Sequence, residues 1–245
     1  MVSLILGEFS NNMRDTHSLE IKKFDELASQ WWDQAGAFRA LHDLNPLRLQ
    51  YINRFTEIAS QHVVDVGCGG GILAESMAVL GAKVTGIDLA KQSIHIAKQH
   101  SLKSNLAIDY RYISAKAFAQ QKPHVFNVVV CMEMLEHVTQ PLEIIRAIAG
   151  LIKPNGWVFF STINRNVRSY IGAVLIAEYL LNLLPRGTHS YERFIKPSEL
   201  VYMVQQATSL ELVDLSGLSY NPLTRHAHLT VDTTVNYIVA FQNRP

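Results

Sequence analysis

The chain has 245 residues, 48% of them apolar and 18% charged, with a formal net charge of +1. It is long enough to bury a full core in one elaborated domain, and its near-neutral balance speaks against a global field that would draw the molecule onto nucleic acid. Cys68 and Cys131 form no CxxC pair, which argues against a disulfide scaffold or a cysteine-ligated zinc and leaves them as reduced core cysteines.

In chain order, Val2-Ser3-Leu4-Ile5-Leu6-Gly7 is too short and lacks the basic flank of a signal peptide. No run reaches the roughly 18–20 apolar residues of a spanning helix, so a cytoplasmic protein is expected. Residues 1–20 read as a flexible tail and 21–60 as an N-terminal helical cap over a ligand mouth. In the cap, Ile21, Phe24, Leu27, Ala28 and Trp31 keep helical spacing until Gly36. Trp31 and Trp32 must face different ways on such a helix, one inward, the other toward a ligand, a groove or the lid packing. A second helix is expected to start with Asn45 as N-cap and Pro46 in its first turn.

From His62 onward, strand and helix patterns alternate, as in a doubly wound, mostly parallel α/β sheet. Strands are expected at 63–66, 83–88, 107–113, 125–131 and 157–163, with a closing antiparallel pair at 210–215 and 235–241, seven in all. Helices are expected over 73–80, 92–102 and 141–153. Residues 61–245 thus form the main domain, carrying an apolar insertion at 165–190 after strand five.

The stretch Val63-Val64-Asp65-Val66-Gly67-Cys68-Gly69-Gly70-Gly71 is a buried strand that breaks into glycines before a helix, the nucleotide-type turn of an open α/β sheet. A dinucleotide fingerprint started at Gly67 would need its third glycine at position 72, which holds Ile72. The residues instead spell an acid, Asp65, before three alternating glycines, Gly67, Gly69 and Gly71. Asp88 ends strand two, where a carboxylate can accept two hydrogen bonds from a ribose diol; Asp65 is placed to orient the loop or a ligand ammonium. Strand four runs out into Met132, suited to packing on an adenine ring or to plain core. Glu133, Glu136 and His137 follow; on a helical turn they would share one face. Such a face could bind a divalent cation, provide a base, or be the solvated start of a helix.

These segments, with KFDELASQWWD, LHDLNPLRLQYI, FFSTINRN, AEYLLNLLPRGTH, Arg193-Phe194-Ile195-Lys196-Pro197 and Tyr220-Asn221-Pro222, resemble the ubiquinone-biosynthesis O-methyltransferases, class I S-adenosylmethionine-dependent enzymes with a Rossmann-like sheet. The resemblance runs from about Ile21 to the C-terminus. One departure is Asn127, where many class I enzymes begin strand four with an aspartate. The resemblance implies cofactor binding by Arg48, Gly67, Asp88 and Met132, joined by Asp65 and Gly69 of the same loop. It further implies methylation of polyprenylated catechol-type phenols or quinols at both O-methylation steps, and other quinone-biosynthesis enzymes as partners. A divalent cation, magnesium or zinc, at Glu133, Glu136 and His137 is associated with eukaryotic relatives. Without a metal, His137 is the natural general base, with Glu133 beside it.

The insertion, from Arg165 through Tyr170–Leu184 to Arg186, is too short to span a bilayer and more apolar than a surface helix. It reads either as a docking element for an anionic membrane, placing the protein peripherally on the inner face, or as a helix buried under the cap or in a dimer. Competing readings are a class I methyltransferase for another small phenol, and a non-catalytic lipid- or nucleotide-binding module.

Overall fold

The computed structural model describes residues 19–166, 169 and 191–244. One sheet carries eight strands: β1 (His62–Val66), β2 (Lys83–Asp88), β3 (Asp109–Tyr112), β4 (Phe126–Met132), β5 (Ile152–Ile163), β6 (Leu210–Asn221), β7 (His226–Thr230) and β8 (Asn236–Asn243). Their spatial order is β3-β2-β1-β4-β5-β8-β6-β7. The first five pair in parallel, and β8, β6 and β7 join antiparallel. The chain leaves β1 toward β2 and β3, then returns to β4 on the other side. The strand order therefore reverses beside β1, and the crevice beyond the strand ends at such a point is where open sheets bind ligands.

Helices flank the sheet, among the described residues α1 (residues 19–26), α2 (Arg39–Asn53), α3 (Ile72–Val79), α4 (Lys91–Lys103), α5 (Ala115–Gln121), α6 (Pro141–Leu151) and α7 (Pro197–Ala207). Side-chain alternation along the central strands sends neighbours to opposite layers. Val128 and Val130 pack with Tyr51 of α2, Met77 of α3 and Ala97 of α4. Val129 and Cys131 pack with Phe118 of α5, Ile148 of α6 and Leu200 of α7. Both faces of β4 are thus apolar and covered, which explains its unbroken Val128-Val129-Val130 run.

The architecture agrees with the doubly wound reading and differs in particulars. There are eight strands rather than seven, because β6 runs on to Asn221 and pairs with β7. Helix α5, N-capped by Ser114 through the Ala117 N–H at 3.2 Å, and α7, opened by Pro197, were not anticipated. Helix α2 begins at Arg39, so Pro46 lies inside it and Asn45 is not its N-cap. Asn45 instead donates to the Ser76 hydroxyl at 2.7 Å, fastening α2 to α3. The first cap helix ends by residue 26; Ala28–Gln30 form a 3₁₀ turn and both tryptophans sit in the turn beyond it. Residues 19 and 20, read as tail, are already helical, and Glu20 is buried.

Asn127, the departure at the start of β4, accepts from the His62 backbone N–H at 3.2 Å and Lys153 Nζ at 3.3 Å. It braces the end of the sheet opposite the crevice. Among the described residues no helix is long and apolar enough to cross a membrane. The 165–190 insertion lies outside the described residues except for Arg165, Asn166 and Ser169.

Candidate active site

The glycine loop leaves β1 and enters α3 with Gly67, Gly69 and Gly71 all at positive φ. Gly69 shows why: a Cβ there would stand 2.4 Å from the Trp31 ring, while its φ of 52° disfavours any L side chain. The Gly69 N–H donates to Asp88 Oδ2 at 2.8 Å, and the Ala90 N–H donates to Oδ1 at 2.7 Å. Asp88 therefore ties the loop to the end of β2 and keeps lone pairs on both oxygens for a further donor. Burial pushes its pKa upward against these backbone bonds.

Behind the loop, Asp65 is fully enclosed. Burial, aided by the charge of Asp88 and opposed by Arg48, raises its pKa to about 7. Arg48 is also buried and donates from Nη2 to Glu133 Oε1 at 3.2 Å, while its Nε finds no partner among the described residues.

At the end of β4, Met132 is buried and Glu133 takes a left-handed φ of 50°, turning the chain. Glu133 Oε1 accepts from the Ser161 hydroxyl at 2.8 Å as well as from Arg48. A three-residue 3₁₀ turn, Leu135–His137, comes next. The single α-helical face expected for Glu133, Glu136 and His137 is therefore not formed, because the left-handed turn separates the first from the other two. Glu136 is buried, and burial, reinforced by the nearby Glu133 carboxylate, pushes its pKa well above the usual carboxylate range. His137 Nδ1 lies 3.2 Å from Glu20 Oε2. Among the described residues no three His, Cys, Asp or Glu side chains are grouped closely enough to hold a metal ion.

Arg48, Asp65, Gly67, Gly69, Asp88, Met132, Glu133, Glu136 and His137 nevertheless all line one cavity of about 1050 Å³. Its remaining wall is largely apolar, built by Phe24, Leu27, Phe38 and Leu44 of the N-terminal segment and by Leu218 and Val235 near β6 and β8. Trp31 lies over the loop, stacked on Phe38 at 3.8 Å between ring centroids, with its indole N–H donating to Ser93 at 3.0 Å. Trp32 donates to the Gly70 carbonyl at 3.0 Å and stacks on His100. Ile72, the residue that spoils the dinucleotide spacing, packs against this aromatic cap.

Four participants carry no local mark in the sequence that assigns them to the site. Ser161 is one serine within a buried strand, and nothing local announces that it faces Glu133. Tyr220 and Arg225 both bond Asp43, closing the β6–β7 hairpin against α2 beside the cavity. Glu20 had no signal beyond its place just ahead of an apolar-periodic run.

The Methyltransferase domain family model matches residues 23–215. The protein named Ubiquinone biosynthesis O-methyltransferase in Chromobacterium violaceum is 56% identical over 228 residues, covering 93% of this chain and 98% of its own. The one from Nitrosospira multiformis is 54% identical over 235 residues, covering 96% of this chain and 98% of its own. Among solved structures, magnesium protoporphyrin IX methyltransferase from Synechocystis, with bound SAH, superposes with a TM-score of 0.62 at 15% identity over 87% of each chain. The [4+2]-cyclase SpnF superposes with a TM-score of 0.61 at 16% identity over 82% of this chain and 81% of its own. These last two likenesses concern the fold, and the cyclase illustrates that one fold hosts several chemistries. Identity above one half across nearly the whole of both chains is a different order of likeness, and on it this chain belongs to the ubiquinone biosynthesis O-methyltransferase family.

Proposed function

We propose that the chain methylates a hydroxyl of catechol-type polyprenylated intermediates of ubiquinone biosynthesis, at both O-methylation steps, using S-adenosylmethionine. The observation carrying this reading is that the loop glycines, the acids ending β1 and β2 and the β4 segment with His137 open on one largely apolar cavity. The residues fit the cofactor: Arg48, buried with an unpartnered Nε, suits a carboxylate, and Asp88 retains acceptor capacity for a ribose diol. Met132 suits the adenine face through its polarizable sulfur, and Asp65 backs the loop. The bound cofactor supplies an electrophilic methyl group on a sulfonium.

The chain's task is then mainly to place a phenol oxygen in line with that methyl group and take its proton. A phenolic hydroxyl has a pKa of about 10 by analogy with tyrosine, and His137, at the cavity wall, is the general base. Glu133 is spent on Arg48 and Ser161, so its part is to hold the arginine rather than to accept the substrate proton. The apolar wall receives the prenyl tail. The segment 165–190, with Arg165, Arg168 and Arg186 beside its apolar run, is the proposed contact with an anionic membrane surface.

The test is direct. Purified protein, S-adenosylmethionine and a short-chain prenylated catechol should yield the singly methylated ether by mass spectrometry. Intact cofactor binding by calorimetry with no methyl transfer to the prenylated catechol would reject the substrate assignment.

A further inference from the structure

The cavity reaches well past the residues that fit the cofactor. Its wall runs from Asp88, ending β2, to Leu218 on β6. These strands stand five intervals apart in the sheet, roughly 24 Å at about 4.8 Å per interval. Gly67, Gly69, Asp88 and Met132 all lie at the ends of β1, β2 and β4, so the side under β5, β8 and β6 is left for the second reactant. A volume of about 1050 Å³ stands at the top of the ~300–1,000 Å³ of single small-ligand pockets, which suits two occupants.

That far side ends at the loop joining β7 to β8, residues 231–235. Strand β8 runs antiparallel to β5 with Asn236 beside Ile163, so the loop stands at the crevice end of the sheet. Among the described residues, Val235 is the one large apolar side chain that both lines the cavity and is exposed, at 38%. Leu218, paired across from Asn236, is buried on the cavity wall. Val231, at the other end of the loop, is 97% exposed. Leu218, Val235 and Val231 thus form an apolar series that leads from the interior to solvent.

The polar groups of this loop are already bonded within the protein. The Asn164 N–H donates to the Val235 carbonyl at 2.8 Å, and its Nδ2 donates to the Thr233 carbonyl at 2.8 Å. Asn166 Nδ2 donates to the Thr234 carbonyl. Asp232 Oδ1 accepts from the Thr234 N–H at 2.9 Å, and the Thr230 hydroxyl accepts from the Asp232 N–H at 3.2 Å. The loop also sits tightly on β6: a Cβ added to Gly217 would stand 1.9 Å from the Asp232 carbonyl oxygen. Hydrocarbon can therefore lie against the loop without stripping water from bare polar groups. The rim formed by α1 and α6 instead carries Lys23, Glu26 and Glu143, whose charges would have to shed water.

We propose that the isoprenoid tail of the substrate leaves the cavity at the β7–β8 loop, running past Leu218 and Val235 and out over Val231. The loop is then the tail's binding subsite and the place where tail length is read. This rests on the reading of the substrate as a prenylated catechol. Asn164 and Asn166, which hold the loop, are also where the chain passes into the apolar segment 165–190, so the tail emerges beside the start of the proposed membrane contact.

The experiment compares the full-length parent with Val235→Asp and Val231→Asp on a bare catechol, a short-chain and a long-chain prenylated catechol. It measures kcat and KM for each, in one fixed detergent, and S-adenosylmethionine affinity by calorimetry. In the parent, KM should fall as the tail lengthens. Val235→Asp should raise KM for both prenylated substrates by roughly 10-fold or more, in line with the loss of a valine-sized apolar contact. KM for bare catechol and cofactor affinity should stay within about threefold. Val231→Asp should raise KM for the long-chain substrate alone. Equal rises for all three catechols would mean that the loop merely shapes the site, and would overturn the proposal. So would a parent KM indifferent to the tail, or a long-chain KM that either variant leaves unchanged. Cofactor binding with no turnover of any catechol rejects the substrate reading itself, and the proposal with it. Should Val235→Asp fail to fold, photo-crosslinking of the parent decides, using a long-chain prenylated catechol with a mid-tail diazirine and bound S-adenosylhomocysteine. Label on Leu218 or residues 231–235 supports the exit; label confined to other residues overturns it.

Discussion

Trp31 lies directly across Gly70: a Cβ added to that glycine would stand 2.3 Å from the indole Cγ. Unlike Gly67, Gly69 and Gly71, Gly70 is not among the positive-φ residues, so an alanine there strains no backbone, and the three nearest atoms its Cβ would meet all belong to Trp31. Gly70→Ala should destabilise the chain by about 1–3 kcal/mol, the usual range for overpacking. Trp31→Ala should cost about 3–5 kcal/mol through the cavity it leaves. In the double variant the clash has gone, so the combined loss should fall short of the sum. Urea unfolding of the four proteins makes the cycle; strict additivity would mean that the two residues do not press on one another.

Asp88 does two jobs with one carboxylate. Its oxygens hold the Gly69 and Ala90 N–H groups and face the cavity. Asp88→Ala should therefore weaken S-adenosylmethionine binding more than tenfold by calorimetry and also lower stability, by roughly 1–3 kcal/mol for backbone donors left without their acceptor. Asp88→Asn keeps an acceptor for only one of the two N–H groups and should fall between alanine and the parent in both measurements. Cofactor affinity equal to the parent's in both variants would remove Asp88 from the binding site.

The parts of the site that were legible in the sequence are those encoded locally. Alternating glycines after an apolar strand report a backbone path, and Asp88 at the end of β2 reports a strand end; neither requires knowing what packs above. Arg48 entered through family resemblance, because an arginine within an amphipathic helix has no local mark that says it is buried against Glu133. Glu20 and Trp31 act through partners 117 and 62 positions away, and such contacts exist only once the cap has docked. The misread start of α2 has a different cause. Asn-Pro is a strong start signal, and the structure overrides it because Asn45 finds Ser76 on the neighbouring helix. The 3₁₀ turn at Leu135–His137 defeated the helical-face argument in the same way: three residues of one type of spacing cannot reveal that Glu133 is left-handed.

Asp43 and Arg39 of α2 both fasten the β6–β7 hairpin. Asp43 accepts from Tyr220 at 2.8 Å and from Arg225 at 2.6 Å, while Arg39 donates to the Pro222 carbonyl at 2.9 Å. The charge and hydrogen bonds of these partners overcome burial and hold the Asp43 pKa below its usual value. Asp43→Asn should raise amide hydrogen exchange across Asn221–His226 at least several-fold, while exchange in β1 and β4, buried in the central sheet, stays as it was. Because Leu218, Tyr220 and His228 also line the cavity, KM for a prenylated catechol should rise while cofactor affinity holds. Unaltered exchange in the hairpin would show that the backbone pairing of β6 with β7 suffices without the latch.

Asp65 links the site to the pH dependence of folding. Its pKa is raised from 3.8 to about 7 in the folded chain, first by burial and then by Asp88, with Arg48 opposing. A carboxyl whose folded pKa is raised contributes stability that is fully present below the unfolded value and is lost as pH rises through the folded one. A displacement of this size corresponds to on the order of 4 kcal/mol. The ligand-free parent should therefore lose stability relative to Asp65→Asn as pH climbs from about 4 to 8, because the amide buries no charge. Other carboxyls titrate in both proteins and cancel in the comparison, so the informative quantity is the difference between the two urea-unfolding curves at each pH. A difference that stays constant across that window would mean that Asp65 is already ionised in acid, with Arg48 outweighing burial. A widening gap in favour of Asp65→Asn identifies Asp65 as a carboxyl that the fold keeps at a cost in stability, behind the loop that holds the cofactor.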